Sequence, residues 1–88
     1  MGTEEQREAV RTPMRCRIRL WHDVIGEVDV FTRDISDTGV FLLTEESTEL
    51  EIGTIVKGQI QGLPMEAPIL EMEVVRLAPE GMGLRYCL

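Results

Sequence analysis

Apolar and polar residues alternate along several short stretches of this chain. The clearest stretch is 15–20, where Cys16, Ile18 and Leu20 are apolar and the positions between them are arginines. A period of two is typical of a β-strand with one face buried and the other in water. The arginines are therefore expected on the solvent side of this strand.

Five further segments are apolar or alternate in the same way, and turn-forming residues separate them. The predicted strands are 15–20, 27–30, 40–44, 54–61, 69–77 and 82–88. Six short strands with turns between them predict an all-β protein, either an antiparallel barrel or a sandwich. We favour a closed barrel, because a small open sheet leaves long strand edges unpaired.

The 88 residues are expected to form a single domain, 1–88. The first eleven residues are mostly polar, so 1–11 is predicted to be a flexible N-terminal arm. Thr12-Pro13 ends the arm, because the residue before a proline is disfavoured in a helix. The barrel then occupies 12–88.

The charge of the chain narrows the range of partners. A formal net charge of -7 argues against broad electrostatic binding to a nucleic acid polymer or to an anionic membrane, since both surfaces are negative. Six of the nine basic residues lie in the first 33 positions, whereas ten of the 16 acidic residues lie from Asp34 onward. The first third of the chain can therefore form a local positive patch for a small anion.

The sequence predicts neither a metal site nor a cofactor. Cys16, Cys87 and His22 do not have the spacing of metal ligands, and His22 has no nucleophile at a recognisable spacing. No apolar run is long enough to span a bilayer, and the acidic N-terminus does not resemble a signal peptide. We therefore expect a cytoplasmic protein that is not an enzyme.

The first candidate for binding chemistry is an RxxxR motif formed by Arg7 and Arg11. Two arginines in a polar arm are commonly only solvated charges. Together they can also bind a phosphate, and a planar guanidinium can donate two hydrogen bonds to the O6 and N7 edge of guanine. Arg11 and Arg15 have the same spacing, so a second register adds Arg15 as a possible ligand-binding residue.

The second candidate is a DxSxxG motif at 34–39. As an ordinary turn, it would use Asp34 and Ser36 for local hydrogen bonds and Gly39 for a positive φ angle. As a binding site, an ionised Asp34 accepts from guanine N1–H and N2–H, Ser36 reaches guanine or phosphate, and Gly39 lets the backbone approach the ligand. The two motifs together supply both edges of guanine recognition.

The order and spacing of these motifs resemble the signature of PilZ domains. RxxxR precedes two strands, and DxSxxG leads into an apolar strand at 39–43. The likeness continues through 50–54, 72–76 and 81–86. It implies a six-stranded antiparallel PilZ-type β-barrel that binds the bacterial second messenger cyclic di-GMP.

The resemblance also implies which residues bind the nucleotide and how the protein responds to it. The implied site residues are Arg7, Arg11, Asp34, Ser36 and Gly39, with the arm closing over the ligand. Members of the family have their second arginine shortly before the first strand, which favours the pair of Arg7 and Arg11. Gln6 stands where many members have another arginine, which favours one bound nucleotide rather than two.

As a member of this family, the chain is expected to signal through a protein partner, as a monomer or a homodimer, in motility, pili or polysaccharide control. Two other functions stay open. One is a nucleotide-blind adaptor whose protein-binding surface is formed by the acidic second part of the chain, which includes Glu45, Glu46, Glu49 and Glu51. The other is a retropepsin-like aspartic protease, because 37–39 is a DTG triplet and two close aspartates can share a proton in a dry site.

Overall fold

The computed structural model describes residues 10–44 and 50–87, and the regular elements in these residues are all β-strands. They are β1 (Thr12–Pro13), β2 (Arg17–His22), β3 (Gly26–Ile35), β4 (Gly39–Leu43), β5 (Ile55–Ile60), β6 (Leu70–Ala78) and β7 (Gly81–Tyr86). Arg7 and most of the predicted arm lie outside the described residues. So do Glu45, Glu46 and Glu49 of the proposed acidic surface, whereas Glu51 is described and exposed.

Strands β2 to β7 form a closed antiparallel barrel. The strands neighbour one another in the order β3-β2-β5-β6-β7-β4, and β4 pairs back with β3. Closure gives each of the six strands a partner on both sides. The predicted six-stranded antiparallel barrel is confirmed.

The barrel interior is filled by apolar side chains from β2, β4, β5, β6 and β7, together with one residue before β5. These buried residues are Ile18, Leu20, Val40, Leu42, Leu50, Val56, Met72, Val74, Met82 and Leu84. Arg17 and Arg19 alternate with the first two and lie on the outer surface, where Arg19 Nε donates to Asp29 Oδ1 at 2.8 Å. The alternation in this strand thus predicts its buried and solvent faces correctly.

The short strand β1 is absent from the pattern of predicted strands. It pairs with β3 on the edge that β2 also uses, with Pro13 opposite Asp34. Between β1 and β2 the chain bends around Thr32, which is only 1% exposed. The Thr32 hydroxyl donates to the carbonyl of Met14 and accepts from the N–H of Cys16 at 2.9 Å. Because this hydroxyl interrupts the ladder, β2 begins at Arg17, two positions later than predicted.

Strand β3 continues to Ile35, five positions beyond its predicted end at 30. Its last two residues stay extended because β1 pairs with one edge and β4 with the other. A β-bulge interrupts the pairing with β4 between Thr32 and Asp34. The turn of the DxSxxG motif is therefore confined to the residues after Ile35, and Asp34 belongs to a strand.

Candidate functional site

Asp34 is the central side chain of the candidate site. It lies near the end of β3, opposite Phe41 of β4, and is 9% exposed. The bulge lies between Thr32 and Asp34, and a bulge re-aims the side chains of its strand. Burying a carboxylate is unfavourable unless hydrogen-bonding partners compensate for the lost water, so the neighbours of Asp34 determine its properties.

Arg11 is the first of these partners. It directly precedes β1, which holds it beside the end of β3. Its Nε donates to Asp34 Oδ1 at 2.6 Å, and its Nη1 donates to Ser36 Oγ at 3.2 Å. The fold thereby joins one residue of RxxxR to two residues of DxSxxG across 23 and 25 positions of sequence.

Arg33 is the second partner and is not among the predicted site residues. Its Nε donates to Asp34 Oδ2 at 2.8 Å, and its Nη1 donates to Glu80 Oε2 at 3.0 Å. Neighbouring residues in a regular strand point to opposite faces, so the sequence pattern places Arg33 away from Asp34. The bulge, which has no clear signal in the sequence, brings both side chains to the same place.

The Phe41 ring packs against the guanidinium groups of Arg33 and Arg76. It alternates with Val40 and Leu42, which face the barrel interior, so its ring lies on the outer surface of the sheet. The ring is nevertheless 2% exposed. The guanidinium carbons of Arg33 and Arg76 lie 3.9 Å and 5.4 Å from its centroid, distances typical of cation–π contacts.

Ser36 has a structural role in addition to its contact with Arg11. Its Oγ accepts from the N–H groups of Thr38 and Gly39, both at 3.3 Å. Its own N–H donates to the carbonyl of Gly39 at 2.9 Å. The motif therefore forms an ordinary serine-stabilised turn and at the same time presents a hydroxyl beside Arg11 and Asp34.

Gly39 is not in the conformation expected of a turn glycine. Among the described residues the glycines with positive φ are Gly26, Gly53 and Gly62, so the positive φ angle that an ordinary turn would give Gly39 is wrong. The reason for glycine is steric, because a Cβ here would lie 2.1 Å from the carbonyl oxygen of Leu84 in β7. Gly39 thus permits the close pairing of β4 with β7.

The two arginines determine the ionisation of Asp34. Burial raises the pKa of Asp34, but the hydrogen bonds and positive charges of Arg11 and Arg33 lower it by more. The net result is a pKa below the ordinary value of 3.8. Asp34 is consequently a charged acceptor at neutral pH.

This lowered pKa predicts a stability difference that depends on pH. A carboxylate whose folded pKa is depressed stabilises the fold above its unfolded pKa, and this contribution disappears as pH falls through the folded pKa. Urea unfolding of the wild type and Asp34→Asn is the measurement, from neutral pH to about pH 3. The difference in free energy of unfolding should be constant down to the ordinary value of 3.8 and shrink below it. A difference independent of pH would contradict the assignment.

Tyr86 borders the site and is also not among the predicted site residues. It is half-buried, and its backbone N–H donates to the carbonyl of Thr38 at 2.9 Å. Burial raises the pKa of its hydroxyl; Arg11 lowers this pKa and Asp37 raises it, with a net increase. Tyr86 is therefore a neutral aromatic residue near Arg11, and aromatic rings of this kind can stack with purine bases.

The structure places Arg15 in a different environment from Arg11. The guanidinium carbon of Arg15 lies 4.3 Å from the ring centroid of Phe31. Arg7 lies outside the described residues, so the choice of Arg7 with Arg11 over Arg11 with Arg15 stays a prediction. Arg11 is common to both registers, and it is the arginine that reaches Asp34 and Ser36.

Residues 10–44 and 50–87 contain neither a group of metal ligands nor a membrane-spanning helix. In this part of the chain, no three side chains of the types that bind metals are grouped so that they could hold an ion. Nor does it contain a helix with the length and apolar character needed to cross a membrane.

Comparison with known proteins identifies the family. The sequence model of the PilZ domain matches residues 5–88. The chain belongs to the PilZ domain family. No curated protein sequence matches it.

A solved structure supports the PilZ fold. The inhibitor of motility MotI/DgrA of Bacillus subtilis is similar to this chain with a TM-score of 0.68 and 18% sequence identity. The match covers 97% of this chain and 44% of MotI/DgrA, so the chain spans less than half the length of that relative. At this identity the likeness concerns the PilZ barrel.

The DTG triplet lies in the turn between β3 and β4, where Asp37 and Thr38 are exposed. The PilZ sequence model covers this turn. That match favours a PilZ turn over a protease active site.

Proposed function

We propose that this PilZ domain is a receptor for cyclic di-GMP. The observation that carries the proposal is the cluster of Arg11, Asp34 and Ser36, which the barrel assembles from distant parts of the chain. The cluster combines a guanidinium, a charged carboxylate and a hydroxyl on one outer surface. These are the groups that guanine and a phosphodiester need as partners.

In the proposed complex, Asp34 accepts hydrogen bonds from guanine N1–H and N2–H. Arg11 donates to the O6 and N7 edge or to a phosphate, and Arg7 adds a second guanidinium from the arm. Each hydrogen bond to a charged group contributes roughly 1.5 to 3 kcal/mol. Three or four such bonds support micromolar affinity after the cost of association is subtracted.

Calorimetry with cyclic di-GMP tests the proposal, and the chain offers a matched control. Arg11→Gln should weaken binding about tenfold or more, because one charge-assisted contact is lost. Arg19→Gln should leave the affinity unchanged, since Arg19 forms an equivalent pair with Asp29 elsewhere on the outer surface. Absence of binding by the wild type at high micromolar nucleotide would reject the receptor and favour the nucleotide-blind adaptor.

We further propose that the bound state is passed to a protein partner in the cytoplasm, without enzymatic activity of this domain. Among the pathways that PilZ domains serve, motility is favoured by the likeness to MotI/DgrA, an inhibitor of motility. The immobilised protein, incubated with lysate in the presence and absence of cyclic di-GMP, should retain a partner in only one of the two conditions. Equal retention in both would contradict nucleotide-controlled output.

A further inference from the structure

Arg11 and Arg33 hold the two oxygens of Asp34 in different ways. Arg11 binds Oδ1 at 2.6 Å, and its other hydrogen bond, to Ser36, is longer at 3.2 Å. Arg33 binds Oδ2 at 2.8 Å and Glu80 at 3.0 Å, and its guanidinium carbon lies 3.9 Å from the centroid of the Phe41 ring. Of the two guanidiniums, Arg33 thus has the larger number of other contacts.

From this asymmetry we infer that Arg33 is a positioning residue of the nucleotide site: it stays on Oδ2 while the ligand displaces Arg11 from Oδ1. The inference rests on the proposed function, since it specifies how the site opens for guanine. The inference adds Arg33, the residue before the motif aspartate, to the PilZ motifs. Arg33 affects nucleotide binding by holding Asp34 and does not contact the nucleotide itself.

The contacts of Arg33 explain why it stays. Its guanidinium covers the Phe41 ring, which is 2% exposed, so departure of Arg33 would expose an aromatic surface to water. Departure would also break the ion pair that connects β3 with Glu80 in the turn between β6 and β7. Among the described residues Arg11 has no ring contact of this kind, and its other hydrogen bond is the longer one to Ser36 at 3.2 Å, so it can turn from Asp34 to the ligand.

Retention of Arg33 matters for affinity because it fixes the orientation of the carboxylate. Each carboxylate oxygen can accept more than one hydrogen bond, so Oδ2 can keep Arg33 and still accept from guanine. Without Arg33 the carboxyl group is free to rotate, and ordering it would be added to the cost of binding. The carboxylate would then be less preorganised for accepting hydrogen bonds from guanine.

Arg76 provides the matched control. Its guanidinium carbon lies over the same Phe41 ring, at 5.4 Å, whereas the described hydrogen bonds and ion pairs of Asp34 are formed with Arg11 and Arg33. Replacing Arg76 therefore removes a positive charge and a contact with Phe41. Replacing Arg33 removes a charge and a contact of the same kind and, in addition, the hydrogen bond to Asp34.

Calorimetry of the full chain with cyclic di-GMP is the first measurement. Arg33→Gln should weaken binding about tenfold, the effect of losing one hydrogen bond to a charged group. Arg76→Gln should stay within about twofold of the wild type, and Arg33→Lys should recover part of the loss. If Arg33→Gln does not fold, Arg33→Met retains a long stem over Phe41 and answers the same question. Wild-type or tighter binding by the folded Arg33 variants would overturn the inference, because Arg33 would then be irrelevant or a competitor of the ligand.

A second measurement does not depend on the nucleotide. Titration of the Asp34 carboxyl by NMR in the free protein should give a higher pKa in Arg33→Gln than in the wild type and Arg76→Gln. An unchanged pKa in Arg33→Gln would overturn the inference. If the wild type fails to bind cyclic di-GMP, the proposed function fails, but the titration still decides whether Arg33 holds Asp34.

Discussion

Replacement of Gly39 by alanine is expected to destabilise the barrel severely. The added Cβ would lie 2.1 Å from the carbonyl oxygen of Leu84, which is a backbone atom of the neighbouring strand. Relief of this overlap requires β4 and β7 to separate, and their pairing is part of the closure of the barrel. Overpacking typically costs about 1–3 kcal/mol, and a clash with backbone belongs at or above the upper end. Native domains have a total stability of only about 5–15 kcal/mol.

Urea unfolding followed by circular dichroism measures this effect, and Gly83→Ala is the control. Gly83 also lies in the pairing of β4 with β7, but a Cβ there would meet its nearest neighbour, the Cβ of Arg76, at 3.4 Å. This variant should lose less than about 1 kcal/mol. Equal stability of the two variants would show that the spacing of β4 and β7 does not require glycine at 39. If the prediction holds, loss of nucleotide binding in Gly39 variants reports loss of the fold.

The barrel is predictable from the sequence because its strands obey a local rule. Ile18 and Leu20 alternate with arginines, and burial in the structure follows that alternation. The elements that the pattern misses depend on contacts between distant residues. β1 is ordered by the edge of β3, and the late start of β2 depends on the buried hydroxyl of Thr32. Neither contact has a signature in the neighbouring sequence.

In the candidate site, too, some features could be predicted from the sequence and others depend on contacts between distant residues. The structure brings Arg11 into contact with Asp34 and Ser36, residues that the two motifs assign to one site, whereas their binding of a ligand stays a prediction. Arg33 is missed because period-two alternation places it on the opposite face from Asp34, and the bulge changes this. The positive φ angle expected of Gly39 in an ordinary turn is wrong for a related reason, since the approach of another strand, rather than the local turn, requires the glycine.

Asp34→Asn is expected to abolish cyclic di-GMP binding while the barrel stays folded. Folding should survive because the side chains of Arg11 and Arg33 are 45% and 41% exposed, so water can solvate them when the carboxylate is removed. Binding should be lost because the Asn amide is uncharged and has one accepting oxygen, so its NH2 group faces the second of the two guanine donors, N1–H or N2–H. Two charge-assisted bonds are affected, and the affinity should fall about a hundredfold or more.

One effect opposes this loss. In Asp34→Asn, Arg11 no longer needs to leave a carboxylate before it binds the ligand. A surface ion pair contributes only about 0–1 kcal/mol, however, which is less than the two ligand bonds that are lost. Calorimetry should therefore show a net loss of binding for Asp34→Asn and wild-type affinity for Asp29→Asn, whose carboxylate pairs with Arg19 elsewhere on the outer surface. Binding by Asp34→Asn within a few-fold of the wild type would show that guanine is recognised at another site on the barrel.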